Sequence, residues 1–296
     1  MTSLDVLKVC VLQPTRHLGD FRKNLKQYER LLEDHSAFLE QSHIFCLPEY
    51  WNGVGSHNFS LALHQKSISF LIDLAVSFQT WVIGGSHLVE NQEKFYNRCH
   101  VFDPTGKLVG TYDKRRPFGY EKVRGLTAGT SELILSIGKW KIGVRICNDL
   151  WNVSDYAQLI KKELDVLFCP ILTTVPNKLF TNYGRFMWHN LALIRAKEGA
   201  TVLVVSDSAM SPIREPYWSV GASCIADPSQ RFQNSDEIGQ GLLKTISSGE
   251  EGILTKKLDY QAIRNQRQYR IEMGLLDAQL NPPISDFDSE NSQELK

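Results

Sequence analysis

Apolar and polar positions follow two rhythms along this chain. Residues 6–12 form a strand-length apolar run, and residues 44–47 form another that stops at Pro48. Between them Leu25, Tyr28, Leu32, His35 and Leu39 recur at steps of three and four, which places them on one face of a helix. Residues 68–78 read as a second helix. Residues 81–86, 97–102 and 108–112 read as strands, the last two joined by the turn Asp103-Pro104-Thr105-Gly106. Strand, helix, strand, helix and then paired strands is an α/β succession.

The succession then repeats. Residues 140–146 predict a strand, 155–163 a short helix, and 166–169 a strand stopped by Pro170. A helix over 183–197 follows, then strands over 201–206 and 221–225 with a turn at Asp227-Pro228. Short words repeat as well, Phe45-Cys46-Leu47-Pro48 against Phe168-Cys169-Pro170 and Cys99…Asp103-Pro104 against Cys224…Asp227-Pro228. Two α/β halves of similar topology, joined across residues 107–139, are therefore expected, with a period far too long for a solenoid. Half-sheets with helices along one face can bury their bare faces against each other, giving helix, sheet, sheet and helix layers. Residues 1–283 read as one such domain. Residues 284–296 read as an acidic, polar tail, frayed or reaching for a partner subunit.

Composition narrows the function classes. Lys plus Arg and Asp plus Glu number 33 each, so no excess positive charge recruits nucleic acid or an anionic membrane. No apolar run reaches the length of a membrane span and residues 1–5 lack the basic start of a signal peptide, so a cytoplasmic location is expected. The six cysteines lie far apart without CxxC pairs, mostly in strand-like runs, which fits reduced and buried thiols. No histidine–carboxylate cluster has ligand spacing and no Gly-rich phosphate loop is present, so neither a metal nor another cofactor is expected.

Three residues at strand ends could carry chemistry. Cys147 follows the strand over 140–146 and precedes the polar turn Asn148-Asp149, where an elbow presents a side chain at the sheet edge and turns backbone N–H groups toward whatever it attacks. Glu49 follows the strand over 44–47 and sits beside Tyr50 and Trp51, where desolvation raises a carboxyl pKa and suits it to proton transfer. Lys114 follows the strand over 108–112 and supplies a compact cation for a developing oxyanion. Each taken singly is equally a core thiol, a loop glutamate or part of a solvated basic run.

Together, in the order Glu, Lys, Cys, they resemble the catalytic triad of the nitrilase (carbon–nitrogen hydrolase) superfamily. Leu47-Pro48-Glu49-Tyr50-Trp51 resembles the motif of its glutamate and Tyr112-Asp113-Lys114-Arg115-Arg116-Pro117-Phe118-Gly119 that of its lysine. Gly143-Val144-Arg145-Ile146-Cys147-Asn148-Asp149 resembles that of its nucleophile. The Trp188…Arg195-Ala196 segment and Gly221-Ala222-Ser223-Cys224-Ile225-Ala226-Asp227-Pro228 match as well, so the resemblance spans roughly residues 6–260. It implies an αββα sandwich, and a hydrolase cleaving a non-peptide C–N bond through a thioester on Cys147. Glu49 would be the general base and acid, and Lys114 with the backbone N–H of Asn148 would hold the oxyanion. Glu121 resembles the second glutamate that orients such sites. The resemblance further implies a homodimer or higher homo-oligomer.

The segment after the cysteine departs from the family pattern. Leu150-Trp151-Asn152-Val153 stands where many members carry Arg-Phe-Pro-Glu, and the Cys-Trp-Glu word of nitrilases is absent. Cys-Asn-Asp and Asp-Leu-Trp are similar to words in carbamoyl amidohydrolases and in the glutaminase domains of NAD synthetases. A small amide or N-carbamoyl substrate is thus expected ahead of a nitrile. Tyr50, Trp51, Phe118, Trp151 and Trp188 are candidates for an aromatic pocket, and Arg145, Arg185 or Arg214 for a grip on a substrate carboxylate. Competing readings are a binding protein that kept the fold without catalysis, and a Cys/His enzyme using His57 or His189.

Overall fold

The computed structural model describes residues 4–53, 60–230 and 242–276. The first half contains β1 (Val6–Gln13), α1 (Phe21–Asp34), α2 (Ser36–Leu39), β2 (Ile44–Cys46), α3 (Leu61–Phe78), β3 (Trp81–Ile83), β4 (His87–Asn91), β5 (Lys94–Phe102), β6 (Leu108–Asp113) and α4 (Tyr120–Val123). The second contains β7 (Ile134–Ile137), β8 (Trp140–Val144), α5 (Val153–Ile160), β9 (Val166–Pro170), β10 (Thr174–Val175), α6 (Thr181–Gly199) and β11 (Val202–Ser206). After it come β12 (Pro212–Arg214), β13 (Tyr217–Ser219), β14 (Cys224–Ala226), β15 (Leu243–Thr245), β16 (Gly252–Asp259) and α7 (Tyr260–Glu272).

Two sheets carry the fold. The first runs β16-β1-β2-β3-β5-β4, with β6 also paired to β5, and the second runs β15-β14-β11-β9-β8-β7. Strand directions show the duplication. Along β16-β1-β2-β3-β5 the neighbours pair antiparallel, parallel, parallel and antiparallel, and β7-β8-β9-β11-β14 repeats that series. The repeated words fall on matching strands: Cys46 and Cys169 on β2 and β9, Cys99 and Cys224 on β5 and β14.

The period of two along each strand creates the layers. Leu7, Val9 and Val11 of β1 face Ile142, Val144, Val166, Phe168, Val202 and Val204 of the second sheet in one buried cluster. The alternate residues Cys10 and Leu12 turn outward to meet Tyr28 and Leu31 of α1 and Leu71 and Leu74 of α3. Leu167, Cys169, Leu203 and Val205 likewise turn outward onto Tyr156 of α5 and Trp188, Leu191 and Ala192 of α6. This is the expected αββα sandwich.

Departures from the sequence expectations have local causes. The helix expected to continue to Leu39 breaks at His35, whose backbone leaves the helical region while its Nδ1 lies 3.0 Å from the Leu31 carbonyl. The hairpin of β4 and β5 turns on Gln92-Glu93, both at positive φ but neither a glycine or asparagine, so no turn signal marked it. β16 pairs with β1 over eight residues and completes the first sheet from the far end of the chain. The acidic tail over 284–296 and His57 lie outside the described residues. Among the described residues, no helix is long and apolar enough to cross a membrane.

Candidate active site

The two halves meet with their strand ends at one edge of the sandwich, and Glu49, Lys114 and Cys147 meet there with them. Glu49 follows β2, where Gly85 allows the chain after β3 to cross it closely: at φ +56°, a Cβ on Gly85 would stand 2.1 Å from the Pro48 carbonyl oxygen. The Glu49 N–H donates to the carbonyl of Ile171, just past β9 in the other half, at 3.1 Å. The N–H of Leu172 donates to Glu49 Oε2 at 2.9 Å.

Lys114 extends the β5–β6 ladder by one step, its N–H donating to the Asn97 carbonyl at 2.9 Å. Its ammonium lies between two carboxylates, 2.7 Å from Glu49 Oε1 and 2.8 Å from Glu121 Oε2. Glu121, on α4, also accepts from the Tyr50 hydroxyl at 2.8 Å and from the Phe118 N–H at 2.8 Å. Asn97 Nδ2 donates to Oε1 of both glutamates, at 2.8 Å and 2.7 Å.

Cys147 opens a one-turn 3₁₀ segment with φ +48°, a left-handed conformation that a non-glycine residue holds only when its surroundings impose it. Asp149 imposes it. Its Oδ2 accepts from the Ile146 N–H at 3.1 Å and the Tyr112 hydroxyl at 2.7 Å, while Oδ1 accepts from the Arg116 N–H at 2.8 Å. One buried carboxylate thus ties the cysteine elbow to the strand and loop that carry Lys114.

Electrostatics follow from this enclosure. Burial raises the Glu49 carboxyl above the ordinary range, with Lys114 opposing and Glu121 reinforcing. A hydrogen bond with Cys147 favours the ionised form of Glu49. Burial, then the Glu49 charge, pushes the Cys147 thiol well above its usual value against the opposing pull of Lys114. Burial alone would weaken the Lys114 ammonium, but Glu49, Cys147 and Glu121 outweigh it and hold that pKa well above the ordinary lysine value.

Glu49, Lys114, Cys147, Glu121 and Tyr50 line one open cavity of about 530 Å³, with Phe118, Tyr120, Leu172 and Tyr217 among its other walls. Several candidates lie elsewhere. Trp51 is buried against Tyr28 and Phe70 in the core beneath α1 and α3. Trp188 is buried in the core of the second half, edge-on to Trp151. Trp151 and the Asn148 side chain line a neighbouring groove with Arg116 and Lys122, where Asn148 Nδ2 donates to the Arg116 carbonyl at 3.2 Å. These aromatics were expected in the pocket because they neighbour motif residues in sequence. Tyr50, next to Glu49, does face the cavity, whereas Trp51 one residue further on enters the helix layer. His189 is not among the cavity walls.

Of the three candidate arginines, Arg145 is buried, pairs with Glu132 and lies over the Tyr112 ring, and Arg185 donates to the Val220 carbonyl. Arg214 alone of the three reaches the cavity. Sequence reasoning missed Asn97, Asp149, Leu172 and the buried Arg16, which also lines the cavity.

The carbon-nitrogen hydrolase family model matches residues 8–268. The chain belongs to the carbon–nitrogen hydrolase family. An omega-amidase of Saccharomyces cerevisiae is 26% identical over 281 residues, covering 88% of this chain and 90% of that protein. A mouse omega-amidase is 25% identical over 244 residues, covering 78% and 82%. Among solved structures, a Saccharomyces cerevisiae member of branch 10 of the nitrilase superfamily superposes with a TM-score of 0.72 at 22% identity, covering 90% of this chain and 94% of that one. An amidase from Nesterenkonia superposes at 0.70 with 16% identity, covering 90% and 96%. These structural likenesses establish the sandwich as the family fold.

Proposed function

We propose that this carbon–nitrogen hydrolase cleaves a small-molecule carboxamide or N-carbamoyl compound through a thioester on Cys147. The observation that carries the reading is the thiol of Cys147 hydrogen-bonded to a buried Glu49 that also receives the Lys114 ammonium at 2.7 Å. The omega-amidase relatives support an amide over a nitrile. In the first half-reaction Glu49 takes the thiol proton as the sulfur bonds to the carbonyl carbon. Lys114 and the backbone N–H of Asn148 hold the negative oxygen that forms. Glu49 returns the proton to the nitrogen as the C–N bond breaks, leaving the acyl group on sulfur. Glu49 then deprotonates a water that attacks the thioester, and the departing sulfur recovers its proton from Glu49. Glu121 and Tyr50 position the lysine and the first glutamate.

The partner surface of this reading is on α5 and α6. Tyr183, Phe186 and Ile194 project from α6 on one exposed stripe, and Leu179, Trp151 and Val153 are further exposed apolar side chains. An apolar patch of this kind fits a second copy of the chain.

The hydrolase reading is tested by incubating the enzyme with primary amides and nitriles, following ammonia release, and trapping the acylated protein for mass spectrometry. Ammonia from an amide together with acylation of the peptide containing Cys147 is expected. Turnover that survives Cys147→Ala would refute the mechanism.

A further inference from the structure

One buried carboxylate near the site takes no part in the reaction above. Asp207 follows β11, is fully buried, and enters no ion pair among the described residues. Backbone N–H groups take the place of a cation. Oδ1 accepts from Ser208 at 2.8 Å and from Thr173 at 3.3 Å, and Oδ2 accepts from Ala222 at 3.0 Å. The Asp207 N–H donates to Ser223 Oγ at 2.8 Å, and the Ser223 N–H donates to Gln13 Oε1, at the end of β1, at 3.0 Å. Burial pushes the Asp207 carboxyl up to about 7, with the three N–H groups opposing and the Glu49 charge adding to the rise.

The duplication of the fold shows what this carboxylate holds. Cys46-Leu47-Pro48-Glu49-Tyr50 leaves β2 as Cys169-Pro170-Ile171-Leu172-Thr173 leaves β9, so Leu172 stands where Glu49 does and Thr173 where Tyr50 does. Each segment leans on the loop after the neighbouring strand of its own sheet. In the first half the Tyr50 N–H donates to Ser86 Oγ, past β3, at 3.3 Å. In the second the Ile171 N–H donates to the Ser206 carbonyl at 2.8 Å, and the Thr173 N–H to Asp207. The two segments join across the sandwich at Glu49, whose N–H reaches the Ile171 carbonyl and whose Oε2 receives the Leu172 N–H. Consecutive N–H groups thus serve two carboxylates: that of Leu172 serves Glu49, and that of Thr173 serves Asp207.

We infer that Asp207 is a positioning residue for the reaction, holding the backbone of residues 171–173 so that the Leu172 N–H stays on Glu49 Oε2. This rests on the hydrolase reading above and adds to it a support from the second half of the chain. Glu49 Oε1 is held from the first half, by Lys114 and Asn97. With both oxygens held, the carboxylate keeps one orientation toward Cys147, and each proton transfer depends on that alignment.

The test uses Asp207→Ala, which removes all three acceptors, and Asp207→Asn, whose amide oxygen can still accept from Thr173 and Ser208. Ammonia release is followed with propanamide, succinamate and N-carbamoyl-β-alanine as probes, and active sites are counted by iodoacetamide labelling of the peptide containing Cys147. On the probe turned over fastest, Asp207→Ala should lower kcat per labelled site by about 10- to 100-fold with KM within about threefold. Asp207→Asn should recover most of that loss. A purely structural role would reduce the number of labelled sites and leave kcat per site unchanged, which overturns the proposal. Equal impairment of the two variants overturns it too. Amide hydrogen exchange in the wild-type protein gives a readout that survives misfolding of either variant. The Leu172 and Thr173 N–H groups should exchange at least about 100-fold more slowly than in an unstructured peptide, and exchange at the unprotected rate overturns the proposal. Hydrolysis of none of the three probes overturns the hydrolase reading, and the amide exchange then still decides whether residues 171–173 are held.

Discussion

Asn97 donates to Glu49 Oε1 at 2.8 Å, and the same nitrogen donates to Glu121 Oε1 at 2.7 Å. With Lys114, it holds the two buried glutamates side by side. A hydrogen bond to the charged form of a carboxyl lowers its pKa, so removing this one raises the Glu49 pKa further. Asn97→Leu is therefore expected to lower kcat by about 10- to 100-fold and to move the acid limb of kcat/KM to higher pH. A pH–rate profile that keeps its midpoint would show that Asn97 only packs the site.

The same profile has a predictable shape in the unaltered enzyme. Glu49 must be ionised to accept the thiol proton, and its pKa is raised above 4.5, so activity rises with pH through a midpoint above the ordinary carboxylate value. Lys114 titrates well above 10.5, so loss of its charge causes no fall at moderately alkaline pH. Glu121→Gln removes a charge that raises the Glu49 pKa, so the acid limb should shift downward even as the maximal rate drops. An upward shift in that variant would contradict the assigned coupling.

Asp149 is expected to matter for stability and activity together. Its carboxylate receives the Tyr112 hydroxyl and the N–H groups of Ile146 and Arg116, all at 3.1 Å or less. Asp149→Ala strands those buried donors and releases the strained Cys147 backbone, at a cost on the order of 2–4 kcal/mol. Urea denaturation would measure it. A midpoint within error of the wild type, with normal thiol reactivity, would remove Asp149 from this role.

A second set of buried titratable groups predicts acid lability away from the site. His64, His87 and His100 cluster between α3 and the first sheet, with His87 and His100 rings stacked 4.9 Å apart. Burial, then neighbouring positive charges, pulls His87 well below its usual value and His100 down to about 3. The unfolded chain binds these protons near pH 6.5 and the folded chain does not. Their contribution is thus constant above about pH 7 and falls on acidification from 6.5 toward 3, at up to about 1.4 kcal/mol per pH unit for each histidine. His100→Leu should flatten that slope in urea midpoints measured from pH 7 to pH 4. An unchanged slope would assign the acid lability to other groups.

The parts of the molecule legible in sequence were those set by period and order. Apolar runs and turns located the repeated halves, and three strand-end residues pointed to one edge of the sandwich. Asn97 was hidden by a one-residue irregularity. Counting back across the turn from Phe102 opposite Leu108 would pair Lys114 with Tyr96, but a bulge near Val101 and Phe102 shifts the register so that Arg98 faces Asp113 and Asn97 faces Lys114. Arg16 was missed because it follows β1 with no motif around it, and its place in the cavity depends on contacts with Tyr50 and Gly53. Trp51 and Trp188 were misplaced because chain proximity to a motif does not fix which layer a side chain enters.

The exposed stripe on α6 yields the last prediction. Phe186 and Ile194 are 67% and 52% exposed, and Val153 at the start of α5 is 67% exposed. If a second copy covers the stripe, Phe186→Glu places a charge in an apolar interface and should weaken the dimer by a hundredfold or more. Sedimentation velocity across a concentration series would resolve the shift from dimer to monomer. Phe186 is not among the cavity walls, so the variant separates assembly from chemistry. A wild-type protein that sediments as a monomer at high concentration would leave the stripe without its proposed partner.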